Sequence, residues 1–386
     1  MIGNKKTIRF LSAADRKNYG DLLFPLIFKN VLKELKANCS FENYGIVKSD
    51  LSTFGALKTK SYKQLEKNIQ ENDNIVIGGG EVLFANWTVL YSFINKYFAQ
   101  LIKKPFFKKI ENKFLISKKI LSKSHTLYPY CFHPNDFNVK SLNIYYSSVG
   151  GGSYNKNSIL KKNLEAAKVL SVRDKRTLLN LTKNDELIVK LVPDSALLMS
   201  RYYNITFLNK INSRIIGKSY IFVQLGKKKG PENIHLFGQH LKNIAKHLKK
   251  NVILCPIGLA AGHEDHKILK ALNLEFPEFL YFEPKNIFEI MELIAKSDIY
   301  IGTSLHGAIT AMSFLKPAIG LNSDIIKLEN YLQTWISEDY KNLSYNELNY
   351  KNVINLLNIF YERYNKAKLL KQQQEILSNI KNIIYS

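Results

Sequence analysis

A repeated alternation constrains this chain more than any other feature. Short apolar runs end in turn residues, often glycine, and each is followed by a stretch with apolar residues at helical spacing. That alternation argues for parallel sheets joined by crossover helices. Strands are expected at residues 7–12, 73–77, 143–149, 168–172 and 187–192, with a helix at 22–36. The pattern restarts with strands at 219–225, 251–256, 298–302 and 317–321, helices at 233–248, 286–295 and from about 264, and a helical stretch from 345 onward. A length of 386 residues exceeds one ordinary domain. The expected fold is therefore α/β, with two Rossmann-like domains facing each other across a cleft. The expected division is 1–205, 206–340 and a C-terminal helical segment at 341–386. In open α/β sheets ligands collect at the carboxyl ends of strands, so residues just after strands are the first candidates for a site.

The charge narrows the partners. Lys and Arg number 56 against 32 Asp and Glu, a formal net charge of +24. Such a surface suits nucleic acid, an anionic membrane face or an anionic small substrate. The basic residues are spread along the chain without a compact basic and aromatic module, so no nucleic-acid partner is expected. One dense lysine run, 103–123, is interleaved with Phe, Ile and Leu. It reads as a solvated lysine face over a buried apolar stripe, the alternative being an amphipathic helix facing a membrane. Cys39, Cys131 and Cys255 are far apart and form no CxxC, so neither a disulfide framework nor a zinc site is expected; all three read as buried thiols. The first six residues lack a signal-peptide core, and the apolar stretch 82–94 is too short to span a bilayer. A cytoplasmic protein, working at the inner face of the membrane, is the expectation.

Four constellations follow strands. Asn18-Tyr19-Gly20-Asp21 separates the first strand from the first helix, where Gly20 gives backbone freedom and Asn18 or Asp21 can cap. Gly78-Gly79-Gly80-Glu81 clears side chains from a crevice, so backbone N–H groups can approach an anion beside a following helix N-terminus. Its spacing matches neither GxGxxG nor a P-loop. Arg173-Asp174 ends another strand; the guanidinium fork suits a carboxylate or phosphate, while an isolated Arg-Asp pair is more often a surface ion pair. Ser304-Leu305-His306-Gly307-Ala308 is the sharpest. A buried strand leads into a helix that Ser304 can cap, which puts His306 in the first turn among small neighbours, placed to exchange protons with a substrate. The run His263-Glu264-Asp265-His266 lacks HExxH spacing and reads as a solvated helix start, so no metal is expected.

In this order the constellations resemble the polysaccharide pyruvyl transferase family. The resemblance includes Val192-Pro193-Asp194-Ser195-Ala196-Leu197-Leu198 and Lys316-Pro317-Ala318-Ile319 and spans about residues 15–325. It implies a GT-B-like fold, phosphoenolpyruvate as donor, a sugar acceptor, free or lipid-linked, and no metal or redox cofactor. It also implies that His306 acts in acid/base or positioning chemistry and that Arg173 binds the donor's carboxylate or phosphate. Asn18, Gly20, Asp21, Gly78, Gly79, Gly80, Ser304, Leu305 and Gly307 are the expected substrate contacts. Where many members carry arginine two residues before the histidine, this chain carries Ser304, as other members do. The competing expectation is a GT-B glycosyltransferase using a sugar nucleotide, with Glu264 or Asp265 holding ribose hydroxyls. Acceptor identity and oligomeric state stay open at this level.

Overall fold

The computed structural model describes residues 6–152, 158–183, 187–211, 219–259 and 264–386. The chain forms two compact units. The first comprises Met1–Lys17, Asp21–Ser195 and Glu375–Ser386, the second Asn18–Gly20 and Ala196–Gln374. Two helices thus contribute residues to both units: Tyr19–Glu34 near the start and Lys366–Tyr385 at the end.

In the first unit, β1 (Lys6–Leu11), β2 (Cys39–Tyr44), β3 (Asn74–Gly78), β4 (Asn143–Val149), β5 (Ala167–Val172) and β6 (Lys190–Leu191) lie in the order β2-β1-β3-β4-β5-β6. Every pairing is parallel. All five residues of β3 are buried, which is why it reads as an unbroken apolar run rather than an alternation. Strand order reverses at β1 and β3, so their carboxyl ends, leading to residues 12–16 and 78–80, form the switch point of this sheet. Leu11, Tyr44, Ile77, Tyr146 and Trp87 belong to one buried cluster, in which the Tyr62 ring meets Trp87 edge-on at 4.9 Å.

The second unit holds β7 (Tyr220–Gln224), β8 (Asn251–Leu254), β9 (Leu280–Tyr281), β10 (Ile299–Gly302) and β11 (Ala318–Gly320), ordered β11-β10-β7-β8-β9 and again parallel. Its switch point lies at the carboxyl ends of β7 and β10. The helix Ile287–Lys296 shows how sequence sets an element. Asn286 accepts from the Phe288 and Glu289 N–H groups at 2.9 and 3.1 Å, and Ile287, Ile290, Met291, Leu293 and Ile294 are buried behind it. Removing that cap by Asn286→Ala costs about 1 kcal/mol.

The fold departs from two of the sequence expectations. The run 103–123 does not bury its apolar stripe. It forms the helices Pro105–Phe114 and Ile116–Leu121, in which Glu111, Ser117 and Leu121 are buried while Phe106, Phe107, Phe114, Ile116 and Ile120 are exposed. The cause is local. Leu115 adopts φ 48°, which breaks the helix, and the buried Glu111 carboxylate accepts from Thr88 Oγ1 and from the Ser117 backbone N–H and hydroxyl. The inward positions up to Ser117 are thereby polar, and Leu121 alone adds an apolar one. Cys39, at the start of β2, is half-buried, whereas Cys131 and Cys255 are buried as expected. Burial pushes the Cys131 thiol up to about 12.

Candidate active site

In the second unit β10 runs straight into the helix Leu305–Ser313. Ser304 is its N-cap, accepting from the Gly307 N–H at 3.3 Å, and half-buried His306 sits in the first turn. Leu305 is buried beneath it. Gly307 has a packing role: a Cβ there would lie 2.3 Å from Tyr300 Oη, and Tyr300 is a fully buried ring whose hydroxyl donates to the Ser304 carbonyl at 3.2 Å.

Asn18, Tyr19 and Gly20 belong to this same unit, although the rest of it begins only at Ala196. Asn18 bridges Gly258, and the Tyr19 N–H donates to the Ile257 carbonyl at 3.2 Å. The buried Tyr19 hydroxyl lies 3.1 Å from Thr310 Oγ1, which donates at 2.6 Å to the His306 carbonyl. Gly20 lies directly against the imidazole: a Cβ at this position would stand 1.9 Å from Nδ1 and 2.1 Å from Cγ of His306. Two motifs far apart in sequence therefore meet around one ring.

Beside them at the switch point, Asp265 Oδ2 accepts from Gln224 Nε2 at 2.8 Å and from the Gly258 and Ile257 N–H groups at 2.8 and 3.2 Å. Gln224 Oε1 accepts from the Thr303 N–H at 3.2 Å, and Thr303 Oγ1 accepts from the Gly226 N–H at 2.8 Å. Burial raises the Asp265 pKa to about 6 against the lowering effect of these donors. Asp265 Oδ2 thus ties the end of β7 to the loop at Ile257 and Gly258, and the residue is 1% exposed, which closes it to a ribose. Glu264 is paired instead with Lys227 and Lys267. His263 lies outside the described residues, as do residues 260–262 of the loop expected at 258–262. Among the described residues no three His, Cys, Asp or Glu side chains gather as metal ligands.

In the first unit, Gly78 ends β3 and Gly79 and Gly80 follow it. Gly79 and Gly80 adopt φ 59° and 76°, and Cβ atoms at Gly78 and Gly79 would strike the rings of Phe10 and Phe24 at 1.9 and 2.1 Å. The run is therefore demanded by packing and backbone conformation. The expected helix N-terminus directly behind it is absent: the next helix, Trp87–Ile94, begins several residues later. The Gly79 N–H donates to the Ser147 carbonyl, and the Gly80 carbonyl accepts from Gly150. Asp21, in the first turn of the Tyr19–Glu34 helix, approaches Gly80, since a Cβ there would lie 3.7 Å from its Oδ1.

Arg173 is neither a surface ion pair nor an open anion grip within its unit. It is 1% exposed, with Nη1 donating to Asp194 at 3.0 Å, Nη2 to Glu81 at 3.1 Å, and Nε 3.9 Å from Asp174. Burial works to lower its pKa, but Asp194, Glu81 and Asp174 outweigh it and hold the guanidinium firmly protonated. Gly150 leaves room for the cluster, because a Cβ would come within 2.8 Å of both Arg173 Nε and Glu81 Oε2. Asp174 is also the N-cap of the Lys175–Thr182 helix, accepting from the Thr177 N–H at 2.8 Å.

Two arginines with exposed surface stand at the same strand ends and escaped the sequence reading. Arg176 also pairs with Glu81, and its side chain is 20% exposed. Arg16 follows β1, 3.4 Å from Asp15 and stacked over Phe93 at 5.5 Å, with its side chain 12% exposed. Burial lowers and Asp15, Tyr130 and Asp21 raise its pKa, with a net rise. The signal for both was their position after a strand, two residues from a motif already singled out.

The family model described as polysaccharide pyruvyl transferase matches residues 18–325, which contain every candidate above except Arg16. No curated protein matches. Solved structures similar to the chain include S. aureus MnaA in complex with UDP, at 14% identity and TM-score 0.55, covering 98% of this chain and 95% of that one. UDP-GlcNAc 2-epimerase from Methanocaldococcus jannaschii shares 12% identity at TM-score 0.54, covering 99% and 100%. The corresponding enzyme from Rickettsia bellii shares 10% at TM-score 0.53, covering 98% and 95%. At these identities the likeness establishes the fold alone, two Rossmann-like α/β units of the GT-B class. With a family match over most of its length, this chain belongs to the polysaccharide pyruvyl transferases and is an enzyme of that family.

Proposed function

We propose that this enzyme transfers the carboxyvinyl group of phosphoenolpyruvate to a sugar of a cell-surface polysaccharide or its precursor, closing a cyclic ketal over two hydroxyls. The observation that carries the proposal is the half-buried imidazole of His306, set in the first turn of a helix at a sheet switch point and seated against the bare backbone of Gly20.

Phosphoenolpyruvate is an enol ester with two anionic ends. Protonating its methylene carbon makes the adjacent carbon electrophilic. One sugar hydroxyl adds there and gives up its proton, the C–O bond to phosphate breaks, and the second hydroxyl adds and loses its proton. One hydroxyl proton replaces that used on carbon and the other leaves with phosphate, so the ketal and inorganic phosphate balance the reactants. His306 supplies and recovers the proton. The helix N-terminus beside it, capped by Ser304, favours negative charge, which supports an anion-holding role where other members carry arginine.

Arg173 acts as a positioning residue through Glu81 and Asp194. Within the first unit, Arg176 and Arg16, the arginines with exposed surface at the strand ends, are the guanidinium groups open to an anion. Asn18, Gly20, Leu305 and Gly307 shape the backbone near His306 in the second unit, and Gly78, Gly79 and Gly80, beside Asp21, shape the switch point of the first. An acceptor on a phospholipid carrier at an anionic membrane face suits the net charge of +24. The burial of Asp265, with Oδ2 held by Gln224 and the Ile257 and Gly258 N–H groups, disfavours a sugar-nucleotide donor held through its ribose. Thermal shift with phosphoenolpyruvate, UDP-sugars and CMP-sugars tests the donor: stabilisation by phosphoenolpyruvate alone supports the proposal, and stabilisation by a sugar nucleotide alone overturns it.

A further inference from the structure

The helices Pro105–Phe114 and Ile116–Leu121 have an amphipathic arrangement turned outward. At 3.6 residues per turn, Phe106, Ile110, Phe114 and Phe107 fall within an arc of about 100° on the first helix, and Lys108, Lys109 and Lys113 occupy the remainder. In a helix packed on a core the aromatic arc faces inward. Here Phe106 is 69% and Phe114 49% exposed, and the helix's only buried side chain is Glu111, which anchors the segment through Thr88 and Ser117. Between the two helices a groove of about 510 Å³ is lined by Lys113, Lys118, Lys119 and Lys123 together with Phe114 and Leu115, with no carboxylate in its lining.

An exposed aromatic arc would collapse or aggregate unless covered. The chemistry of a cover is set by what borders it, four lysines around a groove and two more, Lys108 and Lys109, along the helix, with the segment's only acid turned inward. A neutral apolar protein face matches the aromatics but leaves the lysines unmatched. An anionic lipid bilayer matches both at once, with rings entering the headgroup and acyl boundary while phosphates meet the ammonium groups. No described helix is long and apolar enough to cross a bilayer. We propose that residues 103–123 form an interfacial anchor that seats the enzyme on an anionic lipid surface, with headgroup phosphates in the Lys113, Lys118, Lys119 and Lys123 groove.

Flotation of the full chain with vesicles of phosphatidylcholine, with and without phosphatidylglycerol, tests this, comparing four proteins. These are the wild type, F106S/F114S, K108E/K109E/K113E, and a charge-matched control with the exposed lysines changed as K351E/K366E/K371E. The wild type should float with phosphatidylglycerol vesicles and not with phosphatidylcholine alone. The helix triple should bind about a hundredfold more weakly, the phenylalanine pair at least about tenfold more weakly, and the control near wild type, all with unchanged melting temperatures. Equal loss in the control would reduce the effect to overall charge and overturn the anchor. So would wild-type binding by F106S/F114S. Full displacement by soluble glycerol phosphate would assign the groove to a free phosphate instead. A dimer that F106S/F114S dissociates without changing flotation would assign the face to self-association. Turnover with a soluble acceptor is expected to be unaffected by the helix variants, so failure here is distinct from failure of the proposed reaction.

Discussion

Replacing Gly20 by alanine probes the imidazole without touching it. The added methyl would lie 1.9 Å from His306 Nδ1, so the ring has to retreat by about 1.5 Å to reach ordinary van der Waals contact. Gly20 carries no positive φ, so alanine brings no backbone strain and gains a little helix propensity. The cost is overpacking, about 1–3 kcal/mol. A displacement above 1 Å at a proton-transfer group is expected to lower kcat about a hundredfold. A double-mutant cycle with His306→Ala isolates the cause. Without the ring the methyl has space, so Gly20→Ala in that background should be near neutral in stability and lower activity no further. Phosphate release from phosphoenolpyruvate gives the rates, and thermal denaturation gives the stabilities. Equal destabilisation in both backgrounds, or undiminished kcat in Gly20→Ala, would refute the idea that Gly20 seats the catalytic ring.

Arg173→Met removes the buried cation shared by Glu81, Asp174 and Asp194 and should destabilise the first unit by about 3–5 kcal/mol, seen as a lowered denaturation midpoint. Arg176→Ala keeps Arg173 to balance Glu81, so it should raise KM for phosphoenolpyruvate more than it lowers kcat, measured from saturation curves. Asp265 has a folded pKa of about 6, above its unfolded value near 3.8, so the folded state holds the extra proton. Its contribution is full below about pH 4 and is lost as pH rises through about 6, by at most about 3 kcal/mol. Asp265→Asn should flatten that decline in urea unfolding followed from pH 4 to 7; an unchanged slope would contradict it.

The sheets were readable because their strands are short, buried on both faces and closed by glycine, proline or polar turns. The strand expected at 143–149 forms at Asn143–Val149, and those expected at 7–12, 73–77 and 298–302 form within about a residue of their expected limits. At 187–192 only Lys190–Leu191 pairs, as befits the edge of the sheet. Ser304 as cap and His306 in the first turn followed from local pattern alone. What the sequence hid was non-local. Arg173 reads as a guanidinium beside one aspartate, but Glu81 lies 92 residues away and Asp194 21 residues away, and only the fold brings both to it. Gly20 reads as a turn residue, although the space it leaves is for a ring 286 positions later in the chain. Residues 103–123 show helical spacing, yet spacing does not say which way the apolar arc faces, and the buried Glu111 carboxylate reverses it.

The most direct test of the proposed reaction is turnover of phosphoenolpyruvate with a panel of free, nucleotide-linked and lipid-linked sugars, with phosphate release and product mass recorded for the wild type and His306→Ala. Stoichiometric phosphate and a sugar heavier by one pyruvylidene group are expected with the wild type, and at least a hundredfold slower release with the variant. Consumption of a sugar nucleotide with phosphoenolpyruvate untouched, or full turnover by His306→Ala, would contradict the proposed reaction.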